Sequence, residues 1–179
     1  MAHAQFETIH PFLDGDGRIG RLLITLLVEH WGLLPSPLLY LSLAFNRQQQ
    51  EYYRRLLSVR TEGDWEGWIA FILECVKEAA DDGVSTTQSL FALLNKDRQR
   101  LLNAPGATVP AIRLFDLLPG QPIVTLAGVI KALKTTNPTA SKAITTLLGA
   151  KILKETTGKQ RDRVYAYQSS LRLLTSDAD

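Results

Sequence analysis

Residues 9–21 read IHPFLDGDGRIGR, which places one imidazole, two carboxylates, three glycines and two arginines within thirteen positions. A glycine-rich loop that runs into a helix presents backbone N–H groups and the positive end of the helix dipole, a combination suited to phosphate oxygens. GDGRIGR has that form. Arg18 and Arg21 are three apart, so on a helix they share a face and can aim two forked guanidinium groups at the same anion. Asp14 offers a single hard oxygen donor, and Mg²⁺ commonly takes only one or two carboxylates alongside substrate phosphates. His10 stands just ahead of this cradle and can act as a base near neutral pH. Together these groups are suited to a nucleotide phosphate, a metal and a base, the equipment for transfer of a phosphorus centre to an incoming hydroxyl.

The rest of the chain bounds that reading. Its 179 residues suffice for one medium domain or two small ones, and an apolar share of 45% is ordinary for a soluble globular protein. LLITLLV, residues 22–28, falls far short of the roughly 20 apolar residues that span a bilayer, and the opening residues do not read as a leader. No membrane association and a cytoplasmic location are expected. The single cysteine, Cys75, lies in the helix-period run WIAFILECV, so no disulfide can form within the chain and a buried thiol is expected.

Charge divides the chain. Residues 1–95 carry seven Lys and Arg against twelve Asp and Glu, whereas residues 96–179 carry thirteen against six. An acidic module holding the motif is therefore followed by a basic one able to meet a polyanion.

Helix patterns are read over residues 2–9, 18–31, 38–45 and 47–60. The second stops at Gly32 and the prolines at 35 and 37. A further helix is expected from a cap at Asp64 to an end at Gly83, and another over 85–103. HPFLDGDG is expected to be loop. Past NAPGATVP the pattern changes to helices over 111–118 and 126–133, then a third capped by Asn137 with Pro138 first inside it. ILKE and RVYAY follow as two strands around TTGKQRD. Three helices and a two-stranded wing are the order of a winged helix-turn-helix. In the third helix Ala140, Ala143, Ile144, Leu147 and Leu148 form the apolar face, leaving Thr139, Ser141, Lys142, Thr145 and Thr146 outward. His3 and His30 are expected to pack or face solvent, and Tyr52, Tyr53, Trp65 and Trp68 to belong to the core.

The stretch HPFLDGDGRIGR resembles the signature of the Fic family, His-Pro-Phe-x-(Asp/Glu)-Gly-Asn-Gly-Arg-x-x-Arg. HAQFETI before it, LLITLLV after it, and the later YLSLAFNRQQQEYYRRLL and EGDWEGWIAFI are also similar to that family. The C-terminal part resembles an extension carried by one bacterial subgroup. The resemblance implies a mainly α protein: a helical Fic-type core over residues 1–104, then a winged helix-turn-helix with a two-stranded wing over 105–179. It implies transfer of AMP from ATP to a hydroxyl side chain of a target protein, with pyrophosphate released. His10 would be the base and Asp14 the Mg²⁺ ligand. Gly15, Asp16 and Gly17 would form the anion loop, and Arg18 and Arg21 would hold phosphate oxygens. Phe12 would anchor the loop in the core and Tyr53, with Tyr52, would lie near the adenine.

Two departures from the signature matter. Asp16 stands where the family usually has asparagine, bringing a second negative charge beside the phosphates. The helices and β-hairpin flap that Fic cores carry ahead of the motif have no room before His10, so the chain is expected to be a fragment, or a reduced form without the substrate clamp. The apolar helix after the motif is then expected to lack packing partners, which favours self-association. The competing reading is a DNA-binding or partner-docking regulatory module with a vestigial Fic part. In that module Ser141, Lys142 and Thr145 would face bases while Lys159 and Arg161 touch phosphates, with at most weak DNA binding.

Overall fold

The computed structural model describes residues 1–33 and 40–175. Helix α1 runs Ala2–Ile9, as the pattern predicts, and ends because His10 adopts the left-handed conformation, φ 48° and ψ 63°. The His10 N–H donates to the Phe6 carbonyl at 3.0 Å, which closes the helix. Gly15, at φ 87°, caps α2, Asp16–His30. This helix begins ahead of the expected Arg18. Asp16 and Gly17 are first-turn residues instead of loop residues, because Gly15 supplies the left-handed entry and an acidic first residue suits the helix dipole. Pro35, Pro37 and the expected helix start at Leu38 lie outside the described residues.

Helices α3 (Leu41–Arg47), α4 (Gln49–Glu62) and α5 (Trp65–Leu102) follow. Asp64 does cap α5: its Oδ1 accepts the Gly67 N–H at 2.9 Å. The expected stop at Gly83 is overturned, since α5 runs straight through it. A glycine in a helix interior costs only about 1 kcal/mol, little enough for a long helix to absorb.

The chain divides into two compact units, residues 1–85 and 86–179. In the first, Ala4, Ile24, Leu41, Phe45, Tyr52, Trp68, Phe71 and Cys75 form the core. Burial pushes the Cys75 thiol up to about 11, so it is an inert packing group. At its C-terminal end α3 is tied to α5 by Arg47, 3.0 Å from Glu78 and 2.6 Å from Asp82. Along α2, Ile19, Leu22 and Leu26 stay exposed on one face.

His3 is part of this core. Its Nδ1 lies 2.8 Å from the Gly20 carbonyl, which can only accept, so Nδ1 carries the proton. Nε2 then accepts from the Tyr52 hydroxyl at 3.0 Å. Burial, the largest influence, lowers the His3 pKa from 6.5 to about 4. The unfolded chain therefore takes up a proton near pH 6.5 that the folded one refuses until about pH 4. We expect the first unit to lose roughly 3 kcal/mol of stability as pH falls across that window. Glu7, whose carboxyl burial raises, works in the opposite sense. The check is urea unfolding by tryptophan fluorescence, because Trp31, Trp65 and Trp68 all lie in this unit. The pH dependence should flatten in His3→Gln.

The second unit holds α6 (Val109–Leu117), β1 (Ile123–Thr125), α7 (Leu126–Leu133), α8 (Asn137–Gly149), β2 (Lys154–Glu155), β3 (Val164–Ala166) and α9 (Gln168–Thr175). The sheet has three antiparallel strands in the order β1-β3-β2, not two, with Val124 and Glu155 both opposite Tyr165. The described chain is mainly helical, a helical core followed by a small wing. Leu101, Leu114, Leu118, Val129, Leu147 and Tyr167 fill the unit's centre, and the Tyr167 hydroxyl donates to Asp97 at 2.8 Å. Two local expectations change. Thr136, not Asn137, caps α8, so Asn137 is the first helical residue. Thr146 is buried, its hydroxyl within reach of the Gly106 and Lys142 carbonyls at 3.2 and 3.0 Å. Among the described residues no helix is long and apolar enough to cross a membrane.

Candidate active site

The turn between α1 and α2 gathers most of the residues singled out by sequence. His10 is fixed at its backbone by the α1 cap while its side chain is 62% exposed. Asp14 is exposed, and its Oδ1 accepts the Gly15 N–H at 2.7 Å. Asp16 is turned inward with a fully buried side chain: Oδ1 accepts the Phe12 N–H at 3.2 Å, and Oδ2 lies 3.2 Å from His10 Nδ1. That second contact has ion-pair distance but not hydrogen-bond alignment, leaving Oδ2 without a hydrogen-bond donor. The Phe12 ring is not a core anchor. It rests 6.3 Å from Phe6 and is 51% exposed, so the backbone N–H does the anchoring.

Both arginines fold back on the start of α2. A Cβ added to Gly15 would stand 3.8 Å from Arg18 Nη2, and one added to Gly17 only 3.3 Å from Arg21 Nη1. Glycine at 17 therefore gives Arg21 its room. The two guanidinium-bearing side chains line one cleft of about 290 Å³, together with Thr25, Tyr40, Leu41 and Ser42. Arg21 Nε is buried and has no hydrogen-bond acceptor. Tyr52 is committed to His3 in the core, whereas Tyr53 stands 60% exposed with its ring edge-on to Tyr52 at 5.3 Å.

Sequence reasoning missed Glu7. Its side chain is 12% exposed, and its Oε1 is buried without a hydrogen-bond partner, 4.0 Å from His3 Nδ1. Burial raises its pKa, against the pull of Arg21 and His10. The available signal is its spacing from His3: the two are four apart on α1 and so share a face.

In the second unit Ser141, Lys142 and Thr145 are exposed on α8, although the Thr145 hydroxyl donates to the Ser141 carbonyl at 3.0 Å. Lys159 and Arg161 are exposed between β2 and β3. Arg161 joins Arg163 along a groove of about 720 Å³, bounded by Thr125 and Asn137 at the starts of α7 and α8.

Residues 1–28 match the sequence model of the Fic/DOC family. Over these residues the chain is similar to Fic/DOC proteins. Over 81 residues it is 33% identical to proteins named protein adenylyltransferase Fic from Drosophila grimshawi, Drosophila erecta and Drosophila yakuba. Each match covers 45% of this chain and 15% of the relative. The Fic match contains His10, the Asp14–Gly17 turn, Arg18 and Arg21, all placed around one helix start.

Proposed function

We propose that this Fic part handles ATP for the transfer of AMP to a hydroxyl side chain of a target protein. The observation that carries the reading is the cleft that Arg18 and Arg21 share along the side of α2, within the stretch that matches the Fic/DOC model. Two guanidinium-bearing side chains on one cleft suit phosphate oxygens, which accept charge-assisted hydrogen bonds from such groups. The name of the curated relatives supports AMP as the group moved.

In this reading His10 takes the proton from the target hydroxyl, whose oxygen bonds to the α-phosphorus as pyrophosphate departs with the electron pair of the broken P–O bond. The guanidinium groups balance charge on the phosphates. Asp14 is exposed, and its carboxylate would hold Mg²⁺ as one hard oxygen donor acting together with the nucleotide phosphates. Bound there, the ion would neutralise phosphate charge.

Parallel incubations with ATP labelled at the α- or the γ-phosphate, in the presence of Mg²⁺ and a cell extract, test this. Label from the α-position alone should become protein-bound. Label from the γ-position alone would identify phosphoryl transfer and overturn the reading.

A further inference from the structure

We infer that Asp16 is a positioning residue for His10, setting the tautomer of its imidazole, and not a phosphate contact. The inference rests on the reading of His10 as the base. A side chain with 0% exposure is not presented to a nucleotide in the open cleft, and a carboxylate so presented would repel the phosphates. Its two oxygens are instead directed within the turn. Oδ1 holds the Phe12 N–H, and Oδ2 lies 3.2 Å from His10 Nδ1.

An ionised carboxylate only accepts, so the favourable arrangement puts the proton on Nδ1. Nε2 then keeps its lone pair on the opposite side of the ring. The imidazole is 62% exposed, so it is free to rotate slightly and align Nδ1–H with the buried oxygen. The His10 backbone does not need to move, since its N–H is already committed to the Phe6 carbonyl. Carboxylate orienting imidazole, with the far nitrogen left as base, is the division of labour that hydrolytic triads reach on other folds.

In this turn an Asp16→Asn side chain whose amide oxygen kept the Phe12 N–H would turn its N–H toward Nδ1 and favour the tautomer with the proton on Nε2.

Long-range ¹H–¹⁵N spectra of the full chain, nucleotide-free and at a pH where His10 is neutral, read the tautomer directly. We expect the Nδ1–H form in the parent, and a fall of ~10-fold or more in the Nδ1–H to Nε2–H ratio in Asp16→Asn, the scale set by one charge-assisted hydrogen bond. Nucleotide affinity should change less than the tautomer ratio. An Nε2–H imidazole in the parent overturns the inference even if the variant does not fold. An unchanged tautomer combined with tighter nucleotide binding in Asp16→Asn would return Asp16 to the phosphate side. Neither measurement depends on AMP transfer, so failure to label a protein counts against the proposed function without deciding the role of Asp16.

Discussion

In the proposed reaction, replacing His10 with asparagine is expected to lower the rate of AMP transfer by ~10²–10⁴-fold, the range a general base contributes. Asparagine is the informative choice because residue 10 sits at φ 48°, in the left-handed region. Asparagine tolerates that conformation better than alanine, so the α1 cap and the turn should survive. Nucleotide affinity should stay close to the parent's, because Arg18 and Arg21 belong to α2 and neither depends on the imidazole for its place. The measurement is protein-bound α-phosphate label over time, paired with a nucleotide titration of the same preparation. Equal labelling by variant and parent would remove His10 from the reaction, and a parallel loss of binding would make it part of the phosphate cradle instead.

The site was legible in the sequence as far as local geometry reaches. The span of α1 is expected from its sequence, and helix spacing puts Arg18 and Arg21 on one face, where both side chains line one cleft. What a side chain does once the turn closes is not local. Nothing in DGDG says that the second carboxylate turns inward to the Phe12 N–H while the first stays exposed, because that depends on how α1 delivers residues 10–12 over the start of α2. Glu7 was missed for a related reason: a lone acidic residue on a short helix reads as solvent-facing until its neighbour Gly20 is known. A Cβ on Gly20 would lie 2.1 Å from Glu7 Oε1, so the missing side chain is what lets the carboxyl in.

In the second unit the errors were of length and competition. Strand β1 has three residues, too few for a period-two pattern to emerge, and it exists because β3 pairs with it. Thr136 and Asn137 are both good capping types, and the flanking backbone chose between them: Thr136 is extended, at φ −86° and ψ 160°, as a cap must be. The long α5 shows the reverse bias, where a glycine and an acidic pair, Asp81 and Asp82, invite a break that the helix does not make.

Trp68→Ala is expected to destabilise the first unit by about 3–5 kcal/mol, the cost of emptying a fully packed aromatic site. Trp68 is 2% exposed, stacked 5.9 Å from His3 and within 5.8 and 6.1 Å of Tyr52 and Phe71. Loss of the indole removes more than its own contacts. It opens one face of His3, and water reaching that ring would weaken the desolvation that holds it neutral. Two results should therefore appear together in urea unfolding read by the remaining tryptophans, Trp31 and Trp65: a lower midpoint at neutral pH, and a shallower further loss between pH 6.5 and 4. Tyr53→Ala supplies the contrast, since that ring touches Tyr52 from a position 60% exposed and its removal should cost no more than ~1 kcal/mol. Comparable losses from the two variants would mean that the aromatic cluster is not the unit's core. The His3 hydrogen bonds to Gly20 and Tyr52, which join α2 to α4 through α1, would then have to carry the stability that burial is here assigned.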